Sequence, residues 1–312
     1  MKKDSIKYYL RKNLEKNILD SSIIFDYDIG SHTWFGVGGK ADVFFTPKSI
    51  DELKQVLSIL PKNTTINKLG LGSNVLIRDG GLDGVTIKLG KEFKDIKIEK
   101  NHLNVGSAVL DKVLSKFCQK NSISGYEFFY GIPGNIGGAV AMNAGCYGGV
   151  VSDIFISAYG IDLNGNEIFY NKNKKNFSYR KNNFIKNNII TNINFKIDYD
   201  ENYEIQKRME NIQKNRIESQ PQKVRTGGST FKNPDSSTSE LKAWQLIKSI
   251  GKIEFNIEGV GISEKHYNFI VNKQKLSANR IEEFGEMIRN KVYEKTGILL
   301  EWEIQIMGRL SD

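Results

Sequence analysis

The length, composition and charge of the chain restrict the kinds of protein it can be. With 312 residues it exceeds what one hydrophobic core usually organises, so we expect two or three packed domains. Hydrophobic residues make up 39% and charged residues 26% of the chain, a globular composition that excludes a disordered one. The net charge of +9 suits an anionic small substrate. Because the Lys and Arg residues are scattered and do not interleave with aromatic residues, we expect no nucleic-acid partner.

The cysteines and the N-terminus indicate the compartment. Cys118 and Cys146 are far apart and without paired partners, which predicts neither a disulfide framework nor a zinc or other metal site. The N-terminus lacks the apolar segment of a signal peptide, and no run approaches the ~20 apolar residues that span a bilayer. We therefore expect a cytoplasmic protein with no membrane partner.

The first predicted elements are an amphipathic helix and a βαβ unit. Apolar residues recur at helical spacing over 8–19, and a Gly-rich loop follows at 31–37. Strand-like segments at 41–45 and 66–69 flank a helix at 50–59, for which Ser49 is a plausible N-cap.

The middle of the chain predicts a second, mostly antiparallel subdomain. An Asn164-Gly165 turn joins two strand-like segments, and β-branched residues are frequent near residue 190. The predicted elements are strands at 84–89, 96–98 and 103–105, a helix at 110–119, a Gly-rich tract at 131–149, and strands at 154–161, 167–170 and 189–197.

The last third predicts a separate α+β domain. A polar helix at 201–220 ends before Pro221, and a Gly-Gly-Ser turn follows at 227–229. The remaining predicted elements are a helix at 241–250, a strand at 269–271, a helix at 277–296 and a final strand at 299–306. The predicted fold class is α+β, with an N-terminal helical segment at 1–30 and further divisions at 31–90, 91–210 and 211–312.

Two Gly-rich tracts carry the chemical signal. GLGSN at 70–74 directly follows a predicted strand, where Gly amides with Ser and Asn side chains could cradle phosphates; an ordinary strand-ending turn explains it equally well. It lacks the spacing of a Rossmann fingerprint. The second tract, GIPGNIGGAVAMNAG at 131–145, has few bulky side chains, so its backbone can approach a ligand closely.

The order of these motifs resembles that of a known flavoenzyme family. GLGSNVLIRDGG at 70–81 and GIPG through MNAGCYG at 131–148, with TWFGVGG at 33–39 upstream, are similar to the paired FAD-binding stretches of UDP-N-acetylenolpyruvoylglucosamine reductases. The resemblance continues to the C-terminus. It implies a two-part FAD-binding module of the vanillyl-alcohol-oxidase-like fold, followed by a substrate-binding domain.

The resemblance also implies which residues act. FSYR at 177–180 is similar to a motif whose arginine, here Arg180, stabilises an enolate. GGSTFKNP at 227–234 resembles the segment whose serine, here Ser229, donates a proton. The implied FAD-binding residues are Gly70, Leu71, Gly72, Ser73, Asn74, Val75, Gly134, Gly137, Gly138, Ala139, Asn143 and Gly145, and the implied substrate contacts are Tyr179, Lys232 and Asn233.

The third implied catalytic residue is a glutamate of the terminal segment LLEWEI at 299–304. We assign Glu301, but side chains alternate along a strand, so Glu301 and Glu303 share a face and the pattern does not choose between them. His266 fits a substrate-side segment and a structural loop position equally. Because no basic residue adjoins Cys146 in the sequence, we expect an unreactive thiol there. The 241–259 stretch departs from the family pattern.

The reaction implied is reduction of UDP-N-acetylglucosamine enolpyruvate to UDP-N-acetylmuramate in peptidoglycan precursor synthesis. FAD would be bound, NADPH would be the hydride donor, and we expect a monomer; the sequence does not exclude NADH. One alternative is a flavin-dependent oxidase of the same fold, which would not need the Ser229 and Glu301 segments. Another is an inactive nucleotide-binding or nucleic-acid-binding protein, which would hold no flavin.

Overall fold

The fold is described from a computed structural model, which covers residues 5–251 and 259–311. The helices are Ile6–Asn13 (α1), Lys16–Ser22 (α2), Ile50–Ile59 (α3), Asp111–Lys120 (α4), Ile136–Ala141 (α5), Val151–Ile154 (α6), Asn202–Ser219 (α7), Ala243–Ser249 (α8) and Ala278–Thr296 (α9). The strands are Ile23–Tyr27 (β1), Ala41–Phe45 (β2), Ile66–Lys68 (β3), Val75–Ile77 (β4), Leu82–Ile87 (β5), Ile96–Glu99 (β6), His102–Gly106 (β7), Ile123–Ser124 (β8), Gly145–Cys146 (β9), Gly149–Val150 (β10), Phe155–Asp162 (β11), Glu167–Asn171 (β12), Phe177–Ser178 (β13), Lys181–Asn182 (β14), Asn188–Lys196 (β15), Asp198–Tyr199 (β16), Val260–Ile262 (β17), Ile270–Asn272 (β18) and Gln305–Met307 (β19).

The chain folds into two compact units. The first unit comprises Met1–Asp26, Asp42–Leu71 and Gly84–Arg216, and the second unit comprises Tyr27–Ala41, Gly72–Asp83 and Ile217–Asp312. Among the described residues, no helix is both long and apolar enough to cross a membrane.

The first unit contains a small sheet packed on helices. The strand order is β1-β2-β5-β3, and β3 runs parallel to β5. Helix α3 forms as predicted because the Ser49 side chain accepts a hydrogen bond from the Glu52 amide and acidic residues occupy its first turn. Its buried residues Leu53, Val56 and Leu57 recur at helical spacing and join a core with the β2 side chains.

A five-stranded sheet builds the rest of the first unit. Its order is β12-β11-β15-β7-β6, and every neighbouring pair is antiparallel, which confirms the predicted antiparallel subdomain. The β11–β12 hairpin turns at the predicted Asn164-Gly165 position, where Gly165 has φ 88°. The core packed on this sheet includes residues of α4 and α5, so the sheet fixes the position of the second Gly-rich tract.

The second unit packs α8, α9 and short strands around one core. Antiparallel β17 and β18 contribute Val260 and Ile270 to it, and α9 contributes Ile281 and Phe284. The long helix α9 ends at Gly297, which is left-handed at φ 73° and whose amide donates a hydrogen bond to the Tyr293 carbonyl.

Several elements differ from those predicted. The segment 1–30, predicted to be helical, ends in strand β1 at Ile23–Tyr27, and short strands such as β9, β10, β13 and β14 were not predicted. The helix predicted at 8–19 is two helices, because Leu14 is extended and buries its side chain in the core. The strand predicted at 299–306 is regular only at Gln305–Met307. The residues before it form one isolated antiparallel bridge, between Trp302 and Phe231. Strand β4 was not predicted, since its partner is β19, some 230 residues away.

Replacing Gly285 with Ala tests how Trp302 is seated. A Cβ at the buried Gly285 of α9 would lie 1.9 Å from Trp302 Cη2, so we expect G285A to lower the free energy of unfolding by about 1–3 kcal/mol in urea titrations. The matched control is G261A, because a Cβ at Gly261 meets nothing within 4 Å. We expect G261A to stay within about 0.5 kcal/mol of the unchanged protein. Equal stability of the two variants would contradict this packing.

Candidate active site

In the first unit the two Gly-rich tracts meet. A Cβ added at Gly70 would lie only 2.3 Å from Asn135 Oδ1, and one at Gly138 would lie 3.0 Å from the same atom. Asn135 is held in place because its Nδ2 donates to the Ser107 carbonyl at 3.1 Å. Backbone at Gly70 therefore approaches the start of α5 more closely than any residue with a side chain would allow.

The hairpin β13–β14 carries Arg180 to the same tract. Asn143 Nδ2 donates to the Ser178 carbonyl at 3.2 Å, and Asn182 Nδ2 donates to the Val140 carbonyl at 3.3 Å. Arg180 Nη1 donates to the Gly145 carbonyl at 3.3 Å. Hydrogen bonds thus join the hairpin that carries Arg180 to Asn143 and to Gly145.

Arg180 has an uncommon backbone conformation. Its φ is 56°, in the left-handed region that non-glycine residues rarely adopt, and it forms the two-residue turn of the hairpin with Tyr179. Its guanidinium lies 5.0 Å from the centroid of the half-exposed Tyr179 ring. The turn thus directs the permanently charged guanidinium of Arg180 toward Gly145, and the strained backbone of Arg180 costs conformational free energy.

The surroundings of Cys146 correct the expectation that no basic group is near it. Burial raises the pKa of the Cys146 thiol to about 11, although Arg180 and Arg216 are near enough to lower it. The thiol donates to the Phe128 carbonyl at 3.3 Å. Cys146 therefore stays protonated, as predicted, because burial outweighs the two arginines.

In the second unit, Asn268 holds the segment that follows Ser229. Its backbone carbonyl accepts from the Thr230 amide at 2.8 Å, its Oδ1 accepts from the Phe231 amide at 3.0 Å, and its Nδ2 donates to the Phe231 carbonyl at 2.7 Å. Thr230 is fully buried, whereas Ser229 is partly exposed. The serine thus stands at the edge of a rigid segment.

The two candidate glutamates pair with different parts of this segment. The Lys232 amide donates to the Glu301 carbonyl at 2.8 Å, and the Glu303 amide donates to the Thr230 carbonyl at 2.9 Å. Glu303 is therefore opposite the neighbour of Ser229, while Glu301 is two residues further along. The Glu301 side chain is 74% exposed and forms an ion pair with Lys232 Nζ at 3.0 Å. The Glu303 residue is half-buried.

Trp302 anchors the stretch that carries both glutamates. Its ring centroid lies 4.9 Å from that of Phe231, and its Nε1 donates to Glu286 Oε1 of α9 at 2.8 Å. One tryptophan thereby fixes the register between this stretch and the Ser229 segment.

The remainder of the first Gly-rich tract lies in the second unit beside Glu303. Asn74 Nδ2 donates to the Glu303 carbonyl at 3.1 Å, and the Asn74 carbonyl accepts from the Gln305 amide at 2.9 Å. Gly72 has φ 72°, and its carbonyl accepts from the Trp34 amide. The terminal segment is thus hydrogen-bonded to Asn74, next to the other predicted residues Gly72, Ser73 and Val75.

Two other candidates have structural partners. Asn233 Oδ1 accepts from the Ala243 amide at 3.1 Å and so caps α8. His266 Nδ1 accepts from the Asn268 amide at 3.2 Å, and burial lowers the pKa of its imidazole. These contacts favour the structural interpretation of His266. Part of the 241–259 stretch, residues 252–258, lies outside the described residues.

Comparisons with known proteins match both halves of the chain. Residues 41–168 match the FAD binding domain family, and residues 220–307 match the C-terminal domain of UDP-N-acetylenolpyruvoylglucosamine reductase. Proteins of that name from Rickettsia massiliae (strain Mtu5) and Rickettsia conorii (strain ATCC VR-613 / Malish 7) are each 45% identical over 284 residues, covering 91% of this chain and 95% of each relative. The chain belongs to the UDP-N-acetylenolpyruvoylglucosamine reductase family.

A solved structure of this reductase family has the same fold. The crystal structure of UDP-N-acetylenolpyruvylglucosamine reductase from Thermus caldophilus matches with a TM-score of 0.77 and 29% identity, covering 92% of this chain and 98% of that one. The α+β fold and the resemblance inferred from the motifs are confirmed.

The first unit of this reductase fits a bound FAD. The two Gly-rich tracts carry few bulky side chains where they meet at Asn135, so their backbone amides can come close to a diphosphate. Several buried polar atoms without a hydrogen-bond partner in the described residues belong to residues 107–115, the first part of which pairs with the start of α5: Ser107 Oγ, both carboxylate oxygens of Asp111 and Ser115 Oγ. Unsatisfied buried groups are costly and are often explained by a ligand or ordered water.

Sequence reasoning missed residues that position the site of this reductase. Arg216 Nη1 donates to the Gly131 carbonyl, and Asn268 and Trp302 order the Ser229 segment. Asp111 lies fully buried next to Gly134. An Asp directly after Val109 and Leu110 was a weak signal of burial, whereas the roles of the others depend on contacts between distant segments.

Proposed function

We propose that this chain catalyses the NADPH-consuming, FAD-dependent reduction of UDP-N-acetylglucosamine enolpyruvate to UDP-N-acetylmuramate, in the cytoplasm, for peptidoglycan precursor synthesis. The observation that carries the proposal is the 45% identity to reductases of that name over 91% of the chain. The reaction adds a hydride to one alkene carbon of the enolpyruvyl group and a proton to the other. Bound FAD, reduced by NADPH, supplies the hydride.

Arg180 stabilises the negative charge that develops on the substrate. Hydride addition turns the enolpyruvyl group into an enolate, and a guanidinium offsets that charge without losing its proton. Two observations support this role: the Gly145 carbonyl orients the guanidinium, and the positive φ of Arg180 is the kind of local strain that clusters at functional sites.

Ser229 donates the proton, and a glutamate assists it. A serine hydroxyl is a poor acid, so it needs a fixed position and a polar neighbour. Asn268 and Thr230 supply the fixed position. Our assignment from the sequence is Glu301, but three observations favour Glu303: it is less exposed, it is opposite the neighbour of Ser229, and it is not the residue that pairs with Lys232.

The remaining polar residues bind the nucleotide-sugar. Lys232 offers a cation to the substrate diphosphate, and Tyr179 offers an exposed ring beside Arg180. The Oδ1 of Asn233 already accepts a hydrogen bond from the Ala243 amide of α8. Asn233 therefore contacts the substrate through its Nδ2, which can donate while that bond is kept. The chain acts as a monomer in this proposal.

The central test is flavin absorbance of the purified protein followed by NADPH oxidation with and without the enolpyruvyl substrate. We expect bound flavin and turnover that depends on the substrate. S229A should lower kcat by about 10²–10⁴-fold without releasing flavin, because a general acid is lost. The matched control is S236A, an exposed serine two residues after this segment, which should leave kcat unchanged.

Other outcomes would contradict the proposal in distinct ways. Flavin that passes electrons only to oxygen would indicate an oxidase of the same fold. Absence of flavin after reconstitution with FAD would contradict every flavoenzyme reading of the chain.

Replacing Arg180 with Gly separates catalysis from folding. Glycine adopts φ 56° without strain, so R180G should keep or raise the stability of the protein by up to about 1 kcal/mol in urea titrations. Loss of the guanidinium should nevertheless lower kcat by about 10²–10³-fold. K181A, which removes the exposed cation next to it, should change kcat little. A fall in kcat no larger in R180G than in K181A would rule out the role of Arg180.

Comparing E303Q with E301Q identifies the catalytic carboxylate. We expect E303Q to lower kcat by about 10²-fold or more, and E301Q to lower it by less than about tenfold, because an exposed ion pair contributes about 0–1 kcal/mol. Both changes preserve side-chain shape, and steady-state NADPH oxidation measures both. The reverse ranking would assign the role to Glu301.

A further inference from the structure

The start of α4 supports the second Gly-rich tract from behind. The Asp111 amide donates to the Gly134 carbonyl at 3.1 Å, the Ile136 amide to the Val109 carbonyl at 2.9 Å, and the Gly137 amide to the Ser107 carbonyl at 2.8 Å. These bonds align residues 107–111 with residues 134–137 as a short antiparallel pair. Gly134, Asn135 and the first residues of α5, called the 134–138 turn below, therefore depend on residues 107–111 for their position.

The Asp111 side chain lies under this turn without a partner. Its relative exposure is 0%, and neither Oδ1 nor Oδ2 has a hydrogen-bond partner in the described residues. A Cβ added at Gly134 would lie 2.6 Å from Asp111 Oδ2, so the carboxyl packs directly on the Gly134 backbone. The absence of a side chain at Gly134 is what leaves room for the carboxyl group.

A carboxyl group in this position is uncharged. Burying an ionised carboxylate without a cation or hydrogen-bond donors costs far more free energy than protonating it. Burial accordingly raises the pKa of Asp111 well above its usual range. As a neutral acid, Asp111 has one O–H donor and one carbonyl acceptor.

The charged groups near Asp111 do not restore its ionisation. The Cys146 thiol is a titratable group close enough for Asp111 to affect it: burial raises the pKa of the thiol most, and Asp111 raises it further. Arg180 and Arg216 act on the same thiol but are no cause of the shift at Asp111. Ser107 and Ser115, the other groups with buried unpartnered oxygens on this side, do not titrate.

We propose that Asp111 is a positioning residue for FAD: as a neutral carboxylic acid it supports the 134–138 turn against the cofactor, and its ionisation releases the cofactor. The inference rests on the proposed FAD binding. FAD carries two negative phosphates, so a carboxylate charge under the turn and a bound FAD disfavour each other. A hydrogen bond that the O–H of the neutral acid donates in the holoprotein adds to the same preference, because the carboxylate has no proton to donate.

The sign of the pH effect follows from linkage. FAD binds best to the form with protonated Asp111, so affinity is full at pH values below the raised pKa of Asp111 and is lost as the pH rises through it. One proton is involved, and the dissociation constant therefore rises by at most about tenfold per pH unit.

The experiment measures the FAD dissociation constant by flavin fluorescence on the full-length protein over about 3.5 pH units, from roughly pH 6 to pH 9.5. We expect the dissociation constant of the unchanged protein to rise with pH with a slope of up to one proton. D111N, which has the same shape but no charge, should show a flat profile and bind FAD more tightly than the unchanged protein at the alkaline end. D111A, which removes the contact with Gly134, should bind more weakly at every pH.

The control is D153N, which removes an exposed carboxyl of the same unit and should reproduce the unchanged profile. Infrared absorption supplies a readout that needs no variant: the C=O band of a protonated carboxylic acid should be present in the holoprotein and disappear as FAD is released. A profile of D111N parallel to that of the unchanged protein would overturn the inference and leave Asp111 as a buried acid bonded to an ordered water. Absence of FAD binding at pH 6 would instead contradict the proposed function.

Discussion

The antiparallel contact between residues 230–232 and 301–303 is the interaction on which the second unit depends. Two backbone hydrogen bonds form it, and the contact between the tilted rings of Phe231 and Trp302 fixes its register. A slip of one residue would turn every side chain of the terminal segment to the other face. The position of both glutamates relative to Ser229 therefore depends on how Trp302 is seated against Gly285 and Glu286 of α9.

Local signals in the sequence predicted most of the elements because each has its determinants nearby. Ser49 caps α3, Asn164-Gly165 turns the β11–β12 hairpin, and Ser277 and Gly297 bound α9, all within a few residues of the element they define. The motif resemblance correctly predicted the family and the flavin-type fold. It did so from the residue order in two Gly-rich tracts, which periodicity alone would have left as turns.

What the sequence could not predict depends on distant partners. Strand β4 is three residues long and exists because β19 pairs with it, and the predicted final strand is shortened because Trp302 is drawn toward Phe231 and α9. Dependence on distant partners is also why the sequence could not distinguish Glu301 from Glu303. Alternation assigns them one face, and only their different neighbours, Lys232 and Thr230, distinguish them.

In the first unit, asparagine side chains hold the small-residue tract in place through hydrogen bonds to backbone carbonyls. Asn135, Asn143 and Asn182 each bond a carbonyl of another segment, so the small-residue tract gains rigidity that its glycines cannot provide. Asp111 differs from them because its oxygens have no such bond among the described residues. An asparagine there would satisfy shape without responding to pH. An aspartic acid at this position, by contrast, couples the 134–138 turn to the charge of the ligand that binds against it.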